Sequence, residues 1–201
     1  MKQESLGRAK TSIEIEIEAI QDAMPAVCGQ GFADAVDVLA NAKRVMTCAS
    51  GTSGIAAKKF AHSLCCIEIG AQFMPPCEAV HGGLGALKEG DALVMVSRGG
   101  KTAELLPIIA ACSGRGAKLI AVTENMESPL AKAADVIVPL AIQRESDPCN
   151  MMATASYVQT IALFDALLSA LMEETGYKRE QFASIHPGGA VGAMLNHKKK
   201  A

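Results

Sequence analysis

Val94-Met-Val-Ser-Arg-Gly-Gly-Lys-Thr-Ala-Glu-Leu105 is the stretch on which the reading of this chain turns. Its apolar beginning, Ala92 to Val96, predicts a buried strand. The run breaks at Ser97-Arg98-Gly99-Gly100 and a helical segment restarts from Thr102 to Cys112. A strand, a loop of small residues and a helix start together present free backbone N–H groups and the positive end of a helix dipole to an anion. Ser97 and Thr102 add hydroxyls and Lys101 adds charge, so the stretch reads as a phosphate cradle. It is not a nucleotide-triphosphate loop, because the first glycine that such a loop requires is replaced by Met95 inside the strand.

Outward from this stretch the chain alternates regularly. Strand-like segments fall at 44–49, 66–74, 92–97, 117–123 and 135–140, with helical segments at 55–65, 102–112, 129–134 and 151–175 between and after them. Pro139 places the fifth strand at an edge or at a strand end. Two helices, 11–24 and about 31–41, precede the alternation, and a short one at 178–184 follows it. Apolar strands joined by helices predict an α/β fold: a Rossmann-like three-layer sandwich with a five-stranded parallel sheet. No linker or repeat divides the chain. The expected organisation is one domain over 1–201: a helical segment 1–42, an α/β core 43–175 and a helical segment 176–201.

Composition narrows the function. Half of the 201 residues are hydrophobic and the formal net charge is −2, which argues against nucleic acid as a partner. Aromatics are 3% and Trp is absent, so a base-stacking surface is not expected. The terminal His197-Lys-Lys-Lys200 reads as a solvated tail. Seven cysteines without a CxxC pair, and no signal peptide, predict reduced thiols and a cytoplasmic location. Cys77 and His81, four apart, could share a helix face as metal ligands, but nothing else in the sequence completes such a site, and no metal is expected. No uninterrupted apolar run approaches the ~20 residues that span a bilayer, so no membrane partner is expected. The loop Ser50-Gly-Thr-Ser-Gly54 keeps only part of the dinucleotide glycine spacing, and no acidic residue closes the next strand. No cofactor is therefore expected; two loops of Ser, Thr and Gly at strand ends suit a small phosphorylated ligand.

Four segments, Gly51-Thr-Ser-Gly54, Ala79-Val-His-Gly-Gly-Leu-Gly85, Val96-Ser-Arg-Gly-Gly-Lys-Thr-Ala-Glu-Leu105 and Ser184-Ile-His-Pro-Gly-Gly-Ala-Val-Gly192, resemble in order those of SIS (sugar isomerase) domain proteins. The chain is most similar to the arabinose-5-phosphate isomerases, over roughly 40–196, in a short form without the CBS domains many of them carry. The resemblance implies aldose–ketose isomerisation of a phosphorylated pentose through a cis-enediol, with arabinose 5-phosphate and ribulose 5-phosphate as the lead pair. It implies Glu104, Glu145 and His186 as catalytic residues. Ser53, Ser97, Thr102 and either Thr154 or Ser156 fall on phosphate-contacting positions, within loops that also contain Gly51, Thr52, Gly99, Gly100 and Lys101. His81 matches a histidine close to the site. A carboxylate can serve as the base where burial raises its pKa toward neutrality. The resemblance further implies a homotetramer, a dimer of dimers with sites near subunit interfaces, in which His186 reaches a neighbour's site.

Each of these residues also has a plainer explanation. Glu104 suits the first turn of a helix through the dipole alone. Glu145 lies in a charged run, Gln143 to Pro148, of the kind that is usually solvated, and His186 could cap or pack a helix. The sequence departs from the isomerases at two places. Thr52 stands where they usually carry lysine, and Gly99 and Lys101 stand where they usually carry serine and an acid. Lys101, or Arg98 beside it, is expected to supply the missing charge. These departures keep two alternatives open: a sugar-phosphate-binding sensor without turnover, and another phosphosugar isomerase such as a 6-phospho-3-hexuloisomerase.

Overall fold

The computed structural model describes residues 2–187. Five strands, β1 (Val45–Cys48), β2 (Ala71–Phe73), β3 (Ala92–Val96), β4 (Lys118–Thr123) and β5 (Val136–Pro139), form one parallel sheet in the order β2-β1-β3-β4-β5. The helices are α1 (Gln3–Gln21), α2 (Met24–Val27), α3 (Gln30–Asn41), α4 (Gly51–Cys65), α5 (Pro76–Val80), α6 (Leu106–Ser113), α7 (Pro129–Ala133), α8 (Ala155–Glu174) and α9 (Arg179–Ile185). Strand residues alternate between two cores. Ala92, Val94 and Val96 of β3 face the core built with α3, α4 and α8, and Leu93 and Met95 face the one built with α6 and α7. Both faces of the sheet are covered, which is why the strands are apolar without a polar alternation. β5 with Pro139 lies at an edge, where the missing N–H breaks no ladder.

Close approaches fix the helices on the sheet. A Cβ on Gly31 would lie 2.1 Å from the carbonyl oxygen of Ile137, and one on Gly54 would lie 2.8 Å from that of Ala49. α1 packs on α8 through Ile15 and Ala19, and Gln159 Nε2 donates to the Ala19 carbonyl at 2.6 Å. By length and composition alone α8 could cross a membrane, although polar residues interrupt its apolar run. Its Leu163, Phe164, Leu167 and Leu171 lie in the core.

Several boundaries differ from expectation. The segment 66–74 pairs only over Ala71–Phe73, because Cys66 to Glu68 form a turn with Glu68 at φ 63°. The turn expected at Ser50–Gly54 is instead the cap and first turn of α4. The helices expected from 102 and 151 begin at Leu106 and Ala155, and the first helix begins at Gln3.

Candidate active site

The strand order reverses between β1 and β3, and in open α/β sheets the crevice beyond the carboxyl ends of the strands at such a point is where ligands bind. The loops that leave β1 and β3 flank it. Ser50 is the N-cap of α4, but its hydroxyl does not cap the helix. It donates across the crevice to Glu104 Oε2, joining the two loops. Among the described residues, the N–H groups of Gly51, Thr52 and Ser53 at the start of α4 have no partner, nor do those of Lys101, Thr102, Ala103 and Glu104. Two sets of unpaired N–H groups therefore border the switch point, an arrangement that attracts anions.

The second loop is rigidly built up to Gly100. Ser97 is buried, its N–H donates to Val122, and its Oγ lies 2.9 Å from Thr102 Oγ1 and accepts from Gly100 N at 3.1 Å. The Arg98 carbonyl accepts from Glu124 N and from Thr123 Oγ1, both at 3.0 Å. Gly100 sits at φ 63°, and a Cβ there would lie 2.0 Å from Ser128 Oγ. From Lys101 onward the chain turns without helical bonding until Pro107, in the first turn of α6, starts the helix.

A cleft of about 760 Å³ opens beside the Ser50–Glu104 bridge. Gly51, Gly54, Ile55 and Lys58 line it from one stripe of α4, facing Glu104, His81 and Cys77 and an apolar wall of Phe73, Pro76 and Val80. Thr52 and Ser53 lie off that stripe and do not line the cleft. Lys58 was not expected from sequence, although its place on the stripe with Gly51, Gly54 and Ile55 is legible once α4 is known to begin at Gly51. Cys77 and His81 are both exposed here, and no group of three or more potential metal ligands occurs among the described residues.

Glu145, Thr154, Ser156 and His186, all expected in the site, do not line the cleft. Glu145 is not solvated: it is 5% exposed, and its carboxylate accepts from Arg98 Nη1 at 2.8 Å, Thr154 N at 2.9 Å, Thr154 Oγ1 at 3.1 Å and Ser156 N at 3.1 Å. Burial alone would raise its pKa, but the hydrogen bonds from Ser156 and Thr154 outweigh it and hold the carboxyl below the usual range. Burial therefore does not bring this carboxyl toward neutrality. Thr154 and Ser156 are accordingly engaged with Glu145 at the start of α8. Arg98 also pairs with Glu124 at 2.6 Å, so of the two loop cations only Lys101 has no ion-pair partner among the described residues.

His186 follows α9, with its ring stacked on Phe182 at 3.7 Å and its Nδ1 donating to the Phe182 carbonyl at 3.0 Å. α9 is tied by Gln181 to Glu68, and Tyr177 just before it donates to the Cys66 carbonyl, both in the segment that precedes β2. That is the amino edge of the sheet, opposite the cleft, and His186 does not line the cleft of its own chain. The remainder of the His-Pro-Gly-Gly segment, from Gly188 to Gly192, and the basic tail lie outside the described residues.

Fold and site together define a Rossmann-like α/β protein with a crevice at its switch point that is bordered by unpaired backbone N–H groups. The SIS domain model matches residues 38–170, and the chain belongs to the SIS domain family. It is 38% identical over 188 residues to the arabinose 5-phosphate isomerase KdsD of Pseudomonas aeruginosa, and 34% identical over 190 residues to GutQ of Salmonella typhimurium, likewise an arabinose 5-phosphate isomerase. These alignments cover 93% and 94% of this chain but 57% and 58% of those proteins, so the chain spans little more than half their length. Among solved structures, a protein from Listeria monocytogenes described as a candidate sugar-phosphate isomerase superposes with a TM-score of 0.90 at 42% identity, covering 94% of this chain and all of that one. The Escherichia coli CFT073 protein c3406 in complex with arabinose 5-phosphate superposes with a TM-score of 0.85 at 28% identity, covering 93% of this chain and all of that one.

Proposed function

We propose that this protein is a sugar-phosphate aldose–ketose isomerase, interconverting arabinose 5-phosphate and ribulose 5-phosphate, and that residues 1–201 act as one SIS domain. The observation that carries the reading is the Ser50–Glu104 bridge across the switch point, set between two groups of unpaired N–H donors and beside an open cleft. The phosphate sits against the N–H groups of Gly51 to Ser53 and Lys101 to Glu104, helped by Ser53, Thr102 and the Lys101 charge, with Ser97, Gly99 and Gly100 shaping the loop. The pentose extends into the cleft. Of the two glutamates, Glu104 faces the cleft and takes the proton from C2 while the C1 oxygen gains one, giving the cis-enediol. The C2 oxygen then loses its hydrogen and Glu104 returns a proton to C1, leaving the ketose. His81 and a His186 supplied by a second chain move the hydroxyl protons. The reaction shifts electrons within the substrate, so it calls for no redox cofactor.

Delivery of His186 from another chain requires an assembly, and we propose a cytoplasmic homotetramer. Leu6, Ile13, Ile17 and Ile20 of α1 are 43–58% exposed in the single chain, an apolar face consistent with a partner. The alternative reading is a sensor that binds sugar phosphate without turnover; Thr52, in place of the family lysine, favours it. Mixing the protein with pentose and hexose phosphates and following interconversion by NMR separates the two. Turnover that disappears in Glu104→Gln supports the isomerase, and tight binding without turnover on any substrate supports the sensor. A stable monomer in light scattering would rule out the assembly.

A further inference from the structure

Arg98 and Glu145 belong to neither wall of the cleft, yet both are held by several partners. Arg98 Nε reaches Glu124 Oε2 at 2.6 Å and Arg98 Nη1 reaches Glu145 Oε1 at 2.8 Å. One guanidinium thus joins the loop after β3 to the loop after β4 and to the segment before α8. At the far end Glu145 is anchored three more ways, by Thr154 N, Thr154 Oγ1 and Ser156 N, and its own N–H donates to Asn150 Oδ1 at 2.7 Å. At the near end the Arg98 backbone is bonded to Thr123 and Glu124, and the Gly100 carbonyl accepts from Leu130 N at 3.2 Å. The fixed part of the loop therefore ends at Gly100, and the unpaired N–H groups begin at the next residue, Lys101. Whatever fixes Arg98 fixes the direction in which those donors point.

We propose that Arg98 and Glu145 act as a single positioning unit for the phosphate site, holding the β3 loop in its anion-binding shape, and that Glu145 does not itself carry protons in the reaction. Arg98 is suited to this because its planar fork meets two carboxylates at once, which a lysine ammonium on a flexible stem does not reproduce. Glu145 is suited to it because a 5% exposed carboxylate with four donors is committed on both oxygens. A proton carrier needs an oxygen open to the substrate, and Glu104, unlike Glu145, lines the cleft. The proposal rests on the isomerase reading above.

The experiment is a double-mutant cycle assayed with arabinose 5-phosphate. Residues that act as one unit are non-additive, so Arg98→Met, Glu145→Gln and the double variant are each expected to raise KM by the same factor, roughly tenfold, with kcat within about threefold of wild type. Arg98→Lys is expected to behave like Arg98→Met. KM losses that multiply in the double variant, or an Arg98→Lys protein that is fully restored, would make Arg98 a direct ligand of the substrate and overturn the proposal. So would a kcat collapse in Glu145→Gln while Arg98→Met keeps its kcat, since that is the signature of a proton carrier. If Glu145→Gln does not fold, Glu124→Gln at the exposed end of the same bridge takes its place. A raised KM with kcat retained supports the unit, and an unchanged KM overturns it. Wild-type protein that neither binds nor turns over arabinose 5-phosphate defeats the isomerase reading, and the unit with it. Active wild type with kinetically silent variants defeats the unit alone.

Discussion

Gly100 combines a left-handed backbone with a neighbour, Ser128 Oγ, 2.0 Å from where a Cβ would stand. Gly100→Ala must strain the backbone and also displace the α7 cap, since Ser128 Oγ accepts from Ala131 N. The expected cost is roughly 2–4 kcal/mol in denaturant unfolding, with weakened phosphate binding. Glu145 is expected to make the fold acid-sensitive. Its folded carboxyl titrates below the ordinary 4.5, so the unfolded chain takes up the proton first as pH falls. The stabilisation is complete above about pH 4.5 and is lost as pH drops through the lower folded value. Urea midpoints compared at pH 7 and pH 4 should fall for wild type and fall less for Glu145→Gln. The thiols offer a probe of the cleft. Burial pushes Cys48 up to about 12 and Cys112 up to about 11, so both should resist maleimide until unfolding. Cys28, Cys65, Cys77 and Cys149 are exposed and should react in the native state. Cys77 lines the cleft, and mass spectrometry should find it alone protected by arabinose 5-phosphate.

α4 and α8 meet in the core through a stacked aromatic pair. Phe60 and Phe164 stack at 4.2 Å between ring centroids, and both are fully buried. Phe164→Ala should cost about 3–5 kcal/mol by calorimetric or denaturant unfolding, because the lost burial and the cavity add. This pair also sets where the cleft is, since α4 presents Gly51, Gly54, Ile55 and Lys58 to the cleft and Ala56, Ala57, Phe60 and Leu64 to the core. Periodicity found the existence of these helices but placed several starts wrongly, and the reasons are local. α6 is delayed to Leu106 because the residues after Gly100 form an open turn, Thr102 to Leu105, before Pro107 fits the first helical turn. α8 is delayed to Ala155 because Asp147 draws the N–H groups of Cys149, Met151 and Met152 into a loop of its own. Neither pattern alters hydrophobic spacing, so neither is visible as a period.

At the scale of the molecule, α8 runs some 20 residues, about 30 Å, from the carboxyl edge of the sheet to its amino edge. The chain beyond it, with His186, therefore emerges on the side away from its own cleft. On the proposed shared site, Glu104→Gln and His186→Ala should each lose activity and regain it when co-assembled, because a mixed interface can pair an intact Glu104 with an intact His186. Failure of mixed assemblies to exceed either parent would remove His186 from the site. The sequence by itself determined the parallel α/β class, the two polar strand-end loops and their glycines. Strand patterning, small residues and turn chemistry are local and need no partner to be recognised. Only the tertiary structure decided that Ser50 bridges to Glu104, that Lys58 enters the cleft, and that Glu145 is buried and held ionised. It also decided that Arg98 is tied to two carboxylates and that His186 stands at the far edge. Each of these depends on which strand lies beside which, and a carboxylate in a charged run looks the same on paper whether water or four donors surround it.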